Sequence, residues 1–97
     1  MPTVRNVQRQ IRRREGFEVR FLHEGPGPTI GRDVRDDRDG IPSYSYARAS
    51  PDCTVAVWIE RRFKASFPGF EVQVLKADGK AADHRTLLST VRAGYGS

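Results

Sequence analysis

The stretch from Thr54 to Gly79, TVAVWIERRFKASFPGFEVQVLKADG, constrains the fold more than any other part of the sequence. Apolar residues recur in its first half at helical spacing, and Val55, Ile59 and Phe63 form the centre of the stripe. Ala56, Trp58 and Phe67 widen that stripe. Pro68 cannot continue a helix, so the pattern predicts an amphipathic helix that ends there. Two starts are open for this helix: Ser50-Pro51, or Thr54 one turn later.

The second half of the stretch is typical of a strand and a turn. Residues 70–77 alternate, with Phe70, Val72 and Val74 on one face, and Asp78-Gly79 is a strong turn pair. Residues 86–91, TLLSTV, favour a closing strand that would complete a hairpin, and a short helix is the alternative there.

The N-terminal quarter predicts a helix and a strand in the same order. Val4, Val7 and Ile11 place an apolar stripe on a helix over residues 3–14, and Gly16 suits its C-terminal cap. Alternation of Phe17, Val19 and Phe21 with polar neighbours then predicts a half-buried strand.

Residues 24–40 indicate a mobile loop, because the segment combines a Gly-Pro-Gly-Pro break with a run of alternating Arg and Asp. Residues 29–34 could form a short strand within it. Residues 41–49, IPSYSYARA, predict a further strand, and Pro42 favours an edge position.

The same four-residue sequence occurs in both halves of the chain, since Gly16-Phe17-Glu18-Val19 recurs as Gly69-Phe70-Glu71-Val72. This recurrence suggests a two-unit pseudo-repeat. The expected order is α-β-(β)-β-α-β-β, which favours an α+β fold with one antiparallel sheet and two helices packed on one face.

The length of 97 residues fits a single domain over residues 1–97, with a frayed tail at 93–97. No apolar run approaches the length of a membrane helix, and the N-terminus has no signal-peptide core. We therefore expect a cytoplasmic protein without a membrane partner.

The first helix concentrates positive charge on the side opposite its apolar stripe. The chain carries a formal charge of +5, and most of its 17 basic residues are arginine. Arg5, Arg9, Arg12 and Arg13 share that arc without an acidic residue between them, although like charges four residues apart repel. A solvated basic face is the simplest interpretation. A surface that meets a polyanion also explains the absence of compensating acids.

The sequence predicts a non-enzymatic binding protein with nucleic acid, DNA or RNA, as its leading partner. Tyr44 and Tyr46, beside Arg48, would offer stacking faces next to the helix arginines. The predicted binding residues are Arg5, Arg9, Arg12, Arg13, Tyr44, Tyr46 and Arg48. An acidic protein partner, with the chain as a regulatory or inhibitory accessory module, is the alternative. A homodimer through an exposed strand edge is also open.

Catalytic and metal-binding patterns are weak throughout. Cys53, His23 and His84 have no ligand or nucleophile spacing, and the segment that contains residues 37–40 does not have the ligand spacing of a calcium loop. Residues 25–28 lack the Lys and the backbone donors of a phosphate loop. We therefore expect no cofactor, no metal and no catalytic residue.

Overall fold

A computed structural model describes residues 2–23, 34–35 and 37–95 of the chain. Helix α1 spans Val4–Glu15, and strand β1 spans Glu18–His23. Three consecutive segments, Val55–Trp58, Ile59–Phe63 and Lys64–Ser66, form one helix over residues 55–66 that we call α2. Strand β2 spans Phe70–Leu75, and helix α3 spans Leu88–Ala93.

Helix α1 lies one residue later at each end than the predicted range of 3–14, and its C-terminal cap is the predicted Gly16. The Thr3 side chain accepts a hydrogen bond from the Asn6 N–H at 3.3 Å, which caps the N-terminus. Gly16 ends the helix with φ of 86°, and its N–H donates to the Arg12 carbonyl. A left-handed residue at this position is a common helix terminus.

Helix α2 starts at the later of its two possible openings. The Thr54 hydroxyl accepts a hydrogen bond from the Val57 N–H at 3.3 Å. The middle of the helix, Ile59–Phe63, is wound as a π-helix, and the Lys64 N–H donates to the Ile59 carbonyl. The predicted apolar stripe is buried except for Ala56, which is half-buried, and Trp58 is 1% exposed.

The two strands form an antiparallel sheet whose inner face bears the predicted apolar residues. Val19 pairs with Val74, and Phe21 pairs with Val72. All four are buried in one core cluster with the stripes of α1 and α2. The Phe21 ring meets Phe63 at a centroid distance of 5.0 Å. Both helices therefore pack their apolar stripes against the same core, and the fold is α+β.

Both outer edges of this sheet receive hydrogen bonds from other segments. The Val34 N–H donates to the Phe21 carbonyl at 3.0 Å on the β1 side. The Ala82 N–H donates to the Val74 carbonyl at 2.7 Å on the β2 side. These contacts leave less of each edge open for the strand-edge homodimer considered above.

The predicted strand over residues 41–49 is wrong, since the segment has no regular secondary structure. Side chains of α1 instead accept hydrogen bonds from backbone N–H groups of this segment. The Tyr44 N–H donates to Gln10 Oε1 at 2.8 Å, and the Ala49 N–H donates to Glu15 Oε1 at 2.9 Å. A strand ladder is not needed where side chains already satisfy the buried backbone.

The predicted closing strand over residues 86–91 is also wrong, and the alternative of a short helix is confirmed as α3. The Leu88 N–H donates to the Cys53 carbonyl at 2.8 Å, so this segment meets the start of α2 rather than β2. Leu88 and Val91 are buried three residues apart, which is helical spacing.

Some predictions lie outside the described residues. The short strand over residues 29–34 and the Gly-Pro part of the 24–40 loop fall almost wholly there, as do Gly96 and Ser97 of the tail. The two-unit repeat stays a prediction, although a helix, a glycine with positive φ and a strand follow one another at both Gly16 and Gly69.

Candidate functional site

A groove of about 680 Å³ runs beside α1 and the end of the sheet. Five arginines line it, four from α1 and one from the 41–49 segment: Arg5, Arg9, Arg12, Arg13 and Arg48. The remaining lining residues are Gln8, Gly16, Glu18, Val19 and Leu75. We call this feature the arginine groove.

The apolar stripe of α1 determines which side chains reach the arginine groove. Val4, Val7 and Ile11 are completely buried, so the opposite side of the helix faces solvent. Arg9 and Arg13 are exposed and lie four residues apart, which aligns them along one row. The groove therefore follows directly from the amphipathic pattern of the first helix.

Arg12 is half-buried and belongs to the wall of the arginine groove. Its guanidinium lies 4.7 Å from the centroid of the Tyr95 ring. The Tyr95 hydroxyl donates to the Leu75 carbonyl at 2.5 Å and accepts from the Glu18 N–H at 3.0 Å. Burial raises the pKa of this tyrosine. Tyr95 thereby connects the end of the sheet to Arg12 of α1.

Arg48 reaches the groove because Gly16 leaves room for it. Its Nε donates to the Arg14 carbonyl at the end of α1, at 3.1 Å. A Cβ atom on Gly16 would lie 3.2 Å from Arg48 Nη2. The same glycine thus ends the helix and admits a guanidinium from a distant part of the chain.

The arginine groove is strongly cationic. Among the residues that the structure describes, Glu18 is the one acidic side chain that lines it. Guanidinium groups present several N–H donors in one plane, a geometry that matches phosphate and carboxylate oxygens. The groove can therefore bind an anion that carries several such groups.

The two predicted stacking tyrosines are placed elsewhere. Tyr44 is 2% exposed, and its hydroxyl donates to Glu15 Oε2 inside the protein. Tyr46 is 39% exposed, and the Arg62 guanidinium lies 5.2 Å from its ring centroid. Neither ring lines the groove. Of the predicted binding residues, the structure brings together the five arginines and leaves out the two tyrosines.

A buried polar network beside the groove holds the 41–49 segment in place. The Glu15 carboxylate is completely buried and accepts from Arg92 Nη2 at 2.8 Å through Oε1. Arg92 Nη1 also donates to the Ala49 carbonyl at 3.1 Å. Trp58 Nε1 donates to the Tyr44 hydroxyl at 3.1 Å. In the described part of the chain, every buried side-chain nitrogen and oxygen has a partner.

The network is structural in character. Burial, followed by the hydrogen bond to the Glu15 carboxylate, raises the pKa of Tyr44 well above its usual range. The Glu15 carboxylate has no exposed surface from which it could reach a substrate. Its partners Arg92 and Ala49 are also buried, so the network acts by fixing the backbone that carries Arg48.

Sequence reasoning missed Glu15 and Arg92 as well as the sheet residues of the groove. A signal for Glu15 was present, because it continues the buried spacing of Val7 and Ile11 by four residues. An acid on an apolar stripe implies a buried cationic partner. That signal does not say which of the many arginines is the partner.

No group of three or more His, Cys, Asp or Glu side chains that could hold a metal occurs in residues 2–23, 34–35 and 37–95. The helices in those ranges are all too short or too polar to cross a membrane. Comparison with protein families, with curated proteins and with solved structures gives no match to this chain.

Proposed function

We propose that this protein binds nucleic acid through the arginine groove. One observation carries the proposal: five arginines from two distant segments converge on one groove in which a single carboxylate is described. Two pairs of them, Arg5 with Arg9 and Arg9 with Arg13, are like charges four residues apart, which weakens a helix. A polyanionic ligand relieves that repulsion when it binds.

The row of arginines along α1 is long enough to contact several phosphates. Arg5 and Arg13 stand eight residues apart, which corresponds to about 12 Å along the helix axis. Phosphates of one duplex strand follow one another at about 3.4 Å along the axis, so the row covers about three or four of them. Each phosphate contact releases counterions, and this release supplies the binding free energy.

The test compares two double variants with the same change in charge. Arg9→Gln with Arg13→Gln removes two exposed charges from the groove. Arg61→Gln with Arg85→Gln removes two exposed charges from surfaces outside it. Binding to fluorescent nucleic acid is measured by anisotropy at several salt concentrations.

We expect the groove variant to lose about tenfold or more in affinity and to reduce the slope of log K against log salt by about 2. The control variant should lose far less. Equal losses in both variants would show that only net charge matters. Undetectable binding of the wild type at low salt, or binding without a salt slope, would reject the proposal.

An acidic protein segment is the second candidate, and the apolar residues of the groove favour it. Leu75 and the largely buried Val19 line the groove together with the arginines. A peptide with carboxylates and one apolar side chain would use both kinds of lining. Competition distinguishes the candidates: a Glu-rich peptide containing Leu should displace the probe, at matched ionic strength, only if the groove serves a protein partner.

A further inference from the structure

We infer that the ligand of the arginine groove is a double-stranded nucleic acid, held by the sugar–phosphate backbone rather than by its bases. The inference rests on the proposed function and specifies the substrate class. It follows from where the aromatic rings lie and from the shape of the groove.

Proteins that bind single strands stack the unpaired bases on exposed aromatic rings, and this stacking supplies much of their affinity. The chain has five Phe, three Tyr and one Trp, and all of them lie within the described residues. Six of these rings are at most 2% exposed: Phe17, Phe21, Tyr44, Trp58, Phe63 and Phe67. A buried ring offers no face to a base.

An arginine guanidinium lies over each of the three remaining rings. Arg12 lies 4.7 Å from the Tyr95 centroid, and Arg62 lies 5.2 Å from the Tyr46 centroid. Arg38 lies 4.9 Å from the Phe70 centroid. A guanidinium over a ring occupies one of the two faces on which a base could stack. None of these rings lines the groove in the described part of the chain, and neither do the two histidines.

The shape of the groove favours a backbone over base edges. Proteins read bases in the major groove with a helix or a two-stranded β-ribbon that enters it. The arginines of α1 instead line a concavity, together with Glu18 and Leu75 of the two strands. A concave cationic surface accepts a convex anionic ridge, and the phosphate backbone of a duplex is such a ridge.

Charge density then discriminates between duplex and single strand. A duplex carries one negative charge for each 1.7 Å or so of its axis, and its counterion release per phosphate contact exceeds that of a single strand. Without stacking to compensate, the single strand is the weaker ligand. With about three to five phosphates contacted, the slope of log K against log salt for duplex DNA is about −3 to −4.5.

The experiment measures anisotropy with four probes of equal length: two duplex DNAs of unrelated sequence, one duplex RNA, and the single strand of the first duplex. We expect duplexes to bind about tenfold more tightly than the single strand, and the two DNA sequences to agree within about threefold. The duplex RNA arm distinguishes A-form from B-form geometry. Preference for either form agrees with the inference.

A matched variant addresses stacking directly. Tyr46→Ala removes the most exposed aromatic ring, and it should leave affinity for every probe within about twofold of the wild type. A single strand that binds as tightly as the duplex, or a large loss on Tyr46→Ala, would overturn the inference and leave nucleic-acid binding standing. A strong preference for one duplex sequence would overturn it as well. Absence of binding to all four probes would reject the proposed function itself.

Discussion

Arg92 Nη2 donates to Glu15 Oε1 at 2.8 Å, although the two residues are 77 positions apart in the chain. The pair joins the end of α1 to α3, and Arg92 also donates to the Ala49 carbonyl. The segment before Ala49 carries Arg48 into the arginine groove. A buried ion pair thereby connects the folding of the C-terminal helix to the placement of a surface arginine.

Glu15→Gln is expected to lower the free energy of unfolding by about 3–5 kcal/mol. The amide has the size of the carboxylate but no charge, so it leaves the buried Arg92 guanidinium without its counter-ion. Urea denaturation measures the loss. Glu60→Gln, at an exposed position of α2, is the matched control and should change stability by less than about 0.5 kcal/mol. Similar values for both variants would contradict a structural role for the pair.

Tyr44→Phe is expected to cost about 1–3 kcal/mol, because two buried groups lose their partner. The Glu15 carboxylate loses a donor, and the Trp58 Nε1–H loses its acceptor. The control is Tyr46→Phe, which removes the same hydroxyl from a ring that is 39% exposed. Equilibrium denaturation should separate the two variants clearly, and a Tyr44→Phe protein as stable as the control would refute the network described above.

The raised pKa of Tyr44 makes stability fall at alkaline pH. The folded state holds the phenol proton more tightly than the unfolded chain, where the pKa is near its ordinary value of 10.0. The stabilisation that the Tyr44 phenol gives to the folded state is therefore complete below about pH 10. It is lost as pH rises further, by up to about 1.4 kcal/mol for each pH unit. Wild type and Tyr44→Phe are compared by denaturation across this range. We expect the wild type to fall more steeply, and parallel curves would contradict the assignment.

Local patterns in the sequence predicted the elements that bury a regular stripe. The 3.6-residue periodicity of α1 and α2 and the alternation of β1 and β2 each point to one secondary structure, and the caps at Thr3 and Gly16 agree with them. The arginine side of α1 was predictable for the same reason. A buried stripe fixes which residues remain on the opposite side.

The features that the sequence did not predict depend on contacts between residues that are distant in the chain. Residues 41–49 alternate like a strand, yet their backbone bonds to Gln10 and Glu15 of α1. The sequence pattern predicts an exposed Tyr44, but the hydroxyl of a buried tyrosine can be satisfied by a carboxylate, and Glu15 supplies one. Periodicity describes neighbours on one element, so it cannot identify such contacts.

Gly16→Ala is expected to destabilise the protein by about 1–2 kcal/mol and also to weaken binding. The residue has φ of 86°, and the added Cβ would stand 3.2 Å from Arg48 Nη2, so the guanidinium must shift slightly to make room for it. Gly69→Ala is a matched control, because Gly69 has φ of 90° and no atom within 4 Å of the added Cβ. Both variants should lose similar stability in urea denaturation, since the backbone strain is the same. Only Gly16→Ala should lose affinity for duplex DNA, and by less than Arg48→Gln, which removes the charge and should cost about threefold to tenfold. Equal affinities of the two glycine variants would contradict a role for Gly16 in placing Arg48 in the groove.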